Sequence, residues 1–418
     1  MDDPAFAVEV DDTTQLILLH ASNHDLPALK PLLRVQGNAS VQDPETGYTP
    51  LHAAIAACGT ATSTPLPTIS NGTESREGEE EMDMEKAKAT VQELFMSGAI
   101  WNDLDTNGET PGCLAWRLGR KELYQLCVEA GVRAEMLLGL MGGYEALESD
   151  DEEEEEEEDT EAQIGEQQAY IANGEAIIEK EKLDVNSEDY LKSELKFEDD
   201  KLLDADDNGV MMAWETDIMR RSVDLLLPGL KPGARILNIG FGMGIVDRMF
   251  RDTKPLSHHI IEAHPAVLQK LSAPDSDFGS AWNNSAPEGG KYVVQEGKWQ
   301  DIVPKLLESG EVFDAIYFDT FGEDYAQLKL FFSEYVVGLM DPEGRFGFFN
   351  GLGADRRVCY DVYCKVVELD LCDAGMDVDW TDVEVGTLGE DGEGEWKGVR
   401  RRYWTLNKYR LPVCTFLG

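Results

Sequence analysis

Residues 235–250 (RILNIGFGMGIVDRMF) constrain the fold of this chain more than any other segment. A short apolar run leads into glycines at positions 240, 242 and 244, and apolar residues at helical spacing follow. This order predicts a strand, a tight turn and a helix. Glycine permits positive φ and lets the backbone approach a ligand closely, although a glycine turn without a ligand is the alternative. A dinucleotide-binding turn needs its third glycine at position 245, where this chain has isoleucine.

The acidic composition limits the partners of the protein. The chain has 418 residues, enough for two or three domains, and its 42% hydrophobic residues are typical of a globular protein. Its net charge is −46, and residues 148–161 alone carry twelve acidic residues and no basic one. Such a surface repels nucleic acid and anionic lipid and attracts a basic partner at low salt. Solubility alone is the alternative explanation.

Cysteine spacing and hydropathy indicate a reducing environment away from membranes. The seven cysteines form no C-x-x-C pair and no cluster with histidine at ligand spacing, so we expect free thiols and no metal site. The opening residues, MDDPAFAVEV, lack a basic region, and no apolar stretch approaches the length of a membrane span. We therefore expect a cytoplasmic and nuclear protein that binds neither membranes nor nucleic acid.

The first third of the chain predicts a helical repeat array. Residues 49–54 (TPLHAA) match the T-P-L-H-x-A signature of an ankyrin repeat, and residues 110–115 (TPGCLA) are a degenerate second copy. His52 in the first copy is predicted to brace its turn rather than to bind a ligand. Residues 59–85 between the copies predict an inserted loop. We assign residues 1–145 to an ankyrin-repeat domain, which either grips a protein substrate or only packs against the rest of the chain.

An acidic linker precedes the second domain. Self-repulsion and the scarcity of apolar residues predict disorder in residues 146–186. An amphipathic arm at 190–197 then leads into a domain of residues 187–418, in which apolar strands alternate with helices. This alternation predicts an α/β fold with a mainly parallel sheet. A helix at 355–371 and a strand at 401–406 are expected to complete the sheet.

Polar residues follow the predicted strands at the edge where open α/β sheets bind ligands. Glu262 ends the second strand, where a carboxylate can accept hydrogen bonds from ribose hydroxyls; a solvated strand-end glutamate is the alternative. After the third strand, Trp299 offers a flat apolar surface and Gln300 a hydrogen-bonding group suited to adenine. Asp319 ends the fourth strand. Glu215, upstream of the glycine turn, either projects toward the same cleft or is a helix-surface acid.

These motifs together resemble a known methyltransferase family. The Gly-x-Gly-x-Gly turn is similar to the first motif of S-adenosylmethionine (AdoMet) methyltransferases. Roughly residues 190–410 resemble guanidinoacetate N-methyltransferase through Trp214-Glu215-Thr216 with Met219, Gly240-Phe241-Gly242-Met243, Ile260-Ile261-Glu262, Gly297-x-Trp299 with Asp301, and Tyr317-Phe318-Asp319-Thr320. With the repeat array in front, the chain most resembles the ankyrin-bearing type IV protein arginine N-methyltransferases. The resemblance implies a Rossmann-like, seven-stranded class I AdoMet methyltransferase domain preceded by an all-α ankyrin-repeat domain.

The resemblance also implies the site residues. The residues implied to contact AdoMet are Tyr190, Met219, Gly240, Phe241, Gly242, Met243, Gly244, Ile245, Val246, Glu262, Ala263, His264, Trp299, Gln300 and Asp319. Glu215 and Asp319 would hold the guanidinium of the substrate, and no metal is implied. Two residues depart from the pattern, because Asn238 stands in place of an acid in the first strand and Gln300 in place of a glutamate. Both retain hydrogen-bonding capacity.

Guanidinium chemistry agrees with this assignment. The group stays protonated at neutral pH, and carboxylates in bidentate geometry can fix its plane and direct one nitrogen at the sulfonium methyl. The resemblance implies methylation of the internal (δ) guanidino nitrogen of arginine in a basic, ribosomal protein, and we expect a monomer. A methyltransferase for small guanidino compounds and an ankyrin adaptor with an inactive methyltransferase fold are the alternatives.

Overall fold

Two compact units make up the chain. The computed structural model describes residues 12–61, 73–142, 170–172, 175–177, 187–229 and 232–418. The first unit, here called the repeat unit, comprises Met1–Met141, Gly351–Leu369 and Tyr403–Asn407. The second, the sheet unit, comprises Gly142–Asn350, Asp370–Arg402 and Lys408–Gly418. Segments distant in sequence therefore join the N-terminal helices in one unit.

Helices joined by turns form the N-terminal part of the repeat unit. They are α1 (Asp12–Ser22), α2 (Leu26–Leu32), α3 (Pro50–Ala56), α4 (Thr73–Met96), α5 (Pro111–Arg117) and α6 (Lys121–Gly142), with a 3-10 turn at Asn38–Ser40. Helix α3 begins at Pro50 because the Thr49 hydroxyl accepts a hydrogen bond from the His52 amide. The buried imidazole of His52 donates to the carbonyl of Glu109 at 3.0 Å. The predicted bracing role of His52 is confirmed, as is the helical, ankyrin-like fold.

The predicted inserted loop is shorter than its composition indicated. Helix α4 begins at Thr73, so the prediction of a loop is wrong for residues 73–85. This segment is rich in glutamate and also contains methionine and arginine, all strong helix formers, and their propensity outweighs the missing apolar periodicity. Residues 62–72 lie outside the described part of the chain.

Part of the predicted disordered linker forms a strand pair. Strand β1 (Tyr170–Ala172) pairs antiparallel with β2 (Glu175–Ile177) within residues 146–186. The rest of that predicted linker lies outside the described residues.

The remaining elements follow from Ser187 onward. In chain order they are α7 (Ser187–Lys192), β3 (Lys196–Phe197), β4 (Lys201–Leu203), β5 (Gly209–Met212), α8 (Thr216–Leu226), β6 (Arg235–Ile239), α9 (Ile245–Asp252), β7 (Ser257–Glu262), α10 (Pro265–Leu271), α11 (Ser280–Asn283), β8 (Tyr292–Glu296), α12 (Trp299–Glu308), β9 (Phe313–Phe318), α13 (Tyr325–Leu330), α14 (Val337–Leu339), β10 (Met340–Phe348), α15 (Arg357–Asp373), β11 (Met376–Glu384) and β12 (Lys408–Phe416). Short 3-10 turns lie at Ala213–Glu215 and Gly394–Trp396, and a π-helix at Phe331–Val336.

A seven-stranded sheet organises the sheet unit. Its strand order is β11-β12-β10-β9-β6-β7-β8, and only β12 runs antiparallel to its neighbours. The apolar runs of β6 and β9 are almost entirely buried, as expected for central strands of a parallel sheet covered on both faces. The predicted Rossmann-like α/β fold is confirmed. Strands β3, β4 and β5 form a separate antiparallel sheet.

The last two strands of the sheet differ from the prediction. Residues 401–406 were expected to form a strand, but β11 and β12 occupy these places and residues 401–406 belong to neither. Strand β12 contains Pro412, opposite Trp380 of β11, and a proline argues against a central strand on local rules alone. Tertiary pairing with β10 and β11 overrides that preference. The predicted helix at 355–371 is observed as α15.

Apolar residues fill both sides of the central sheet. One cluster joins α8, α9 and the sheet through Met219, Val246, Phe250 and Tyr317. A second cluster on β7, α10 and α11 includes Phe241. Burial of each large apolar side chain contributes roughly 1.5–3 kcal/mol to the stability of the fold. These clusters therefore support the glycine turn between β6 and α9. Among the described residues, no helix combines the length and the apolarity that a bilayer crossing requires.

Candidate active site

A cleft opens at the carboxyl ends of β6, β7, β8 and β9. Open α/β sheets bind their ligands at this edge. Eight of the predicted site residues line it: Tyr190, Gly240, Gly242, Glu262, Ala263, Trp299, Gln300 and Asp319. The remaining predicted residues do not line it: Met219, Phe241, Met243, Gly244, Ile245, Val246, His264 and Glu215. Several of these pack beneath the glycine turn instead.

The glycine turn fits its surroundings only without side chains. Gly240, Gly242 and Gly244 have φ of 90°, 53° and 70°, which side chains disfavour. A Cβ at Gly240 would lie 1.9 Å from the carbonyl oxygen of Asp319, and one at Gly242 would lie 2.7 Å from Cε of Met211. The backbone of β9 thus approaches the turn so closely that Asp319 stands beside Gly240.

Glu262 ties the glycine turn to the end of β7. Its carboxylate accepts hydrogen bonds from the amides of Phe241 at 2.9 Å, Gly242 at 3.4 Å, Ala263 at 2.8 Å and His264 at 2.6 Å. Burial raises the pKa of Glu262, and these four donors counteract part of that increase. The side chain is 6% exposed, which excludes the interpretation as a solvated strand-end glutamate.

Trp299, Gln300 and Glu323 form one wall of the cleft, and Glu323 was not predicted from the sequence. Glu323 accepts hydrogen bonds from Nε1 of Trp299 at 2.9 Å, Nε2 of Gln300 at 2.9 Å and the Thr320 hydroxyl at 2.7 Å. Oε1 of Gln300 is buried and has no hydrogen-bond partner among the described residues. A buried acceptor without a protein partner needs a donor, which a ligand or a water molecule can supply. Glu323 lies in the loop after β9, where no periodicity singles it out.

Helix α7 closes another side of the cleft. The ring of Tyr190 is 7% exposed and packs on His264 and Phe321, with ring centroids 4.7 and 4.9 Å away. The Tyr190 carbonyl accepts a hydrogen bond from Nε2 of His264 at 3.0 Å. The predicted arm is therefore held on the cleft by both its side chain and its backbone.

The two predicted guanidinium ligands occupy different positions. Asp319 lines the cleft, and its Oδ2 is shielded from solvent and has no hydrogen-bond partner among the described residues. Burial, together with the carboxylate of Asp247, raises the pKa of Asp319 to about 7. Glu215 is 4% exposed and accepts a hydrogen bond from the Met212 amide at 3.3 Å. Burial raises the pKa of Tyr317, and both Asp319 and Glu215 raise it further.

Relatives over nearly the whole length of the chain decide the family. The protein arginine N-methyltransferase 2 of Gibberella zeae is 57% identical over 404 residues, covering 94% of this chain and 90% of that protein. The protein of the same name from Neurospora crassa is 55% identical over 425 residues, covering 97% of this chain and 96% of that protein. The chain belongs to the protein arginine N-methyltransferase 2 family.

A family model and one solved structure match parts of the chain. The model of the guanidinoacetate N-methyltransferase family matches residues 185–352. Fibrillarin from Aeropyrum pernix, solved with bound S-adenosyl-L-methionine, is 12% identical and covers 48% of this chain and 76% of its own, with a TM-score of 0.29. Similarity at that level is too low to assign a function. Membership of the protein arginine N-methyltransferase 2 family identifies the chain as a methyltransferase.

This member of the protein arginine N-methyltransferase 2 family also carries a buried polar chain under the glycine turn. Asn238 donates from Nδ2 to the carbonyl of Gly240 at 2.8 Å and to Asp247 at 2.8 Å. The other oxygen of Asp247 lies 2.9 Å from Nε2 of His258. The asparagine that departs from the family pattern in β6 thus positions the turn, which sequence reasoning about β6 alone did not show. Among the described residues, no group of three or more His, Cys, Asp or Glu side chains is arranged so that it could hold a metal ion.

Proposed function

We propose that the protein transfers the methyl group of AdoMet to the internal (δ) guanidino nitrogen of an arginine in a protein, the type IV reaction. Asp319 carries the proposal. Its carboxylate lines the cleft beside the glycine turn, and its Oδ2 has no hydrogen-bond partner among the described residues. A buried carboxylate without a cation is unfavourable, and a guanidinium would supply both the charge and the donors.

The residues around the cleft fit AdoMet. The unpartnered Oε1 of Gln300 offers an acceptor for the amino group of adenine, and Trp299 offers a flat surface next to it. Glu262 retains its place at the tip of β7, where a ribose is expected, although backbone amides already occupy much of its carboxylate. When bound, AdoMet supplies an electrophilic methyl on a sulfonium. Tyr190 on α7 would cover the cofactor from the side of the arm.

The carboxylates of Asp319 and Glu215 would act by holding and orienting the guanidinium of the substrate. The guanidinium remains charged at neutral pH, so its attraction would lower the pKa of Asp319 and keep that carboxylate ionised in the complex. Bidentate contact would fix the plane of the guanidinium and direct its δ nitrogen at the methyl. We propose Glu215, which is buried but does not line the cleft, as the second ligand. Its negative charge, like that of Asp319, raises the pKa of the Tyr317 hydroxyl.

The charge of the chain supports a proposal for the class of protein substrate. A net charge of −46 favours a basic protein, and ribosomal proteins are the basic class that we propose. We further propose that the enzyme works as a monomer in the cytoplasm and nucleus.

Methylarginine analysis tests the proposal directly. The full-length protein is incubated with labelled AdoMet and purified ribosomal proteins, which are then hydrolysed to amino acids. We expect label in δ-methylarginine and none in the ω-methylated isomers. The Asp319→Asn variant should bind AdoMet but transfer no label. Label in ω-methylarginine would overturn the type IV assignment.

Two further measurements separate the alternatives. Free guanidinoacetate, tested in parallel, should not be methylated; preferential methylation of it would favour the small-molecule enzyme. Calorimetric titration with AdoMet should show binding at one site. Absence of binding would favour the adaptor with an inactive fold.

A further inference from the structure

We propose that Glu323 fixes the orientation of the Gln300 side chain and so makes the cleft select a base that carries an amino group over one that carries a carbonyl at the same position. The inference rests on the proposed function, because the base in question is the adenine of AdoMet. Glu323 would then be a positioning residue that acts through Gln300.

Glu323 collects the donors along one wall of the cleft. Its carboxylate accepts from Nε2 of Gln300 at 2.9 Å, from Nε1 of Trp299 at 2.9 and 3.0 Å, and from the Thr320 hydroxyl at 2.7 Å. A carboxylate can only accept hydrogen bonds, whereas an amide has a donor end and an acceptor end. The end of Gln300 that faces Glu323 is therefore its NH₂ group, and a flipped amide would set two acceptors against each other.

The orientation of Gln300 decides what its other end offers. Gln300 lines the cleft, and its Oε1 is buried without a hydrogen-bond partner among the described residues. The second acceptor for its NH₂, Oε1 of Gln327 at 3.0 Å, is neutral and belongs to an amide that can itself flip. Only the charge of Glu323 therefore dictates which end of Gln300 remains for a ligand.

An acceptor at this position discriminates between purines. Adenine presents an amino group that donates to Oε1 of Gln300. Hypoxanthine presents a carbonyl at the same position, which would leave two buried acceptors facing each other. Replacement of Glu323 by glutamine removes the constraint, because a glutamine can donate to a flipped Gln300 and leave the NH₂ group for the ligand.

The test compares two product analogues in calorimetric titrations of the full-length protein. We expect the wild type to bind S-adenosylhomocysteine at least about tenfold more tightly than S-inosylhomocysteine. In Glu323→Gln this ratio should fall to about threefold or less, since Gln300 can then serve either base. The matched control, Gln327→Leu, removes the neutral acceptor and should keep the wild-type ratio. Thermal unfolding of each variant verifies that it is folded.

Gln300→Leu supports the test if Glu323→Gln does not fold. It removes the discriminating acceptor itself and should reduce the ratio in the same way. Three outcomes would overturn the inference and leave the proposed function standing. The affinity ratio could be unchanged in Glu323→Gln or in Gln300→Leu, or it could fall equally in Gln327→Leu. The wild type could also bind both analogues equally well. Failure of the wild type to bind S-adenosylhomocysteine would instead overturn the proposed function.

Discussion

Nε2 of His258 lies 2.9 Å from Oδ1 of Asp247, and neither side chain is exposed to solvent. Burial raises the pKa of Asp247, and the hydrogen bond from His258 opposes that increase. Through Asn238, Asp247 also holds the carbonyl of Gly240. The pair therefore joins β7 and α9 to the turn that borders the cleft.

Removal of His258 should destabilise the fold strongly. His258→Leu leaves the carboxylate of Asp247 buried without its partner, which we expect to lower the free energy of unfolding by about 3–5 kcal/mol. The double variant Asp247→Asn, His258→Leu should recover part of this loss, because no charge is then buried. Urea denaturation measures the free energy of unfolding of the double variant and of the two single variants, His258→Leu and Asp247→Asn. A double variant at least as unstable as the sum of the two single variants would contradict a direct interaction.

A methyl group at Gly240 should be far more damaging than one at Gly233. The two glycines have φ of 90° and 92°, so alanine at either position carries a similar backbone cost of about 1–2 kcal/mol. Only at Gly240 would the Cβ collide, 1.9 Å from the Asp319 carbonyl, whereas nothing lies within 4 Å of a Cβ at Gly233. We expect Gly240→Ala to abolish S-adenosylhomocysteine binding in calorimetry and Gly233→Ala to preserve it. Equal affinities would show that the turn adapts.

Asp319 should set the acidic limb of the activity profile. Its pKa is raised to about 7, and a guanidinium requires the ionised carboxylate. The value of kcat/KM should therefore increase with pH up to about 7 and then level off. The Asp319→Asn variant should show no turnover at any pH while binding S-adenosylhomocysteine. Activity that stays constant from about pH 5 to 8 would rule out titration of Asp319.

The same carboxylate should cost stability at alkaline pH. A pKa raised from 3.8 to about 7 favours the folded state only while the group is protonated, so its contribution is present below about pH 4 and is lost as pH rises through 7. Relative to the wild type, Asp319→Asn should gain up to about 4 kcal/mol between pH 4 and pH 8, an upper limit because part of the residue faces the cleft. Denaturation at both pH values measures the gain, and a constant difference would contradict it.

Glu262 should affect cofactor binding because its carboxylate accepts hydrogen bonds from backbone amides, whereas Glu296 on the neighbouring strand should not. Glu262→Gln replaces one carboxylate oxygen by an NH₂ group that opposes the amides of the glycine turn or those of Ala263 and His264, so we expect at least about tenfold weaker binding of S-adenosylhomocysteine. Glu296 pairs with Glu262 in register on β8 but is exposed, and Glu296→Gln should bind as the wild type does. Similar losses in both variants would indicate a general effect of charge.

Local patterns explain why much of the fold is predictable. The glycine turn lies between a strand and a helix that are contiguous in sequence, and the positive φ of its three glycines is a requirement of the turn itself. The ankyrin signature is equally local, because Thr49 and His52 lie in one turn and satisfy one another. Strand-end residues such as Glu262 and Asp319 meet in the cleft because parallel strands end at the same edge.

Local sequence patterns were sufficient to predict the fold class, the glycine turn and less than half of the residues that line the cleft, since short-range periodicity, capping and glycine conformations specify these features. Long-range packing, in contrast, sets the partners of Glu323, the pairing of Asp247 with His258, the position of Glu215 outside the cleft wall, and the registers of β11 and β12. These features depend on contacts between segments far apart in the chain. Nothing in the local sequence marks which distant donor a buried acceptor will meet, because burial and chain packing together select it.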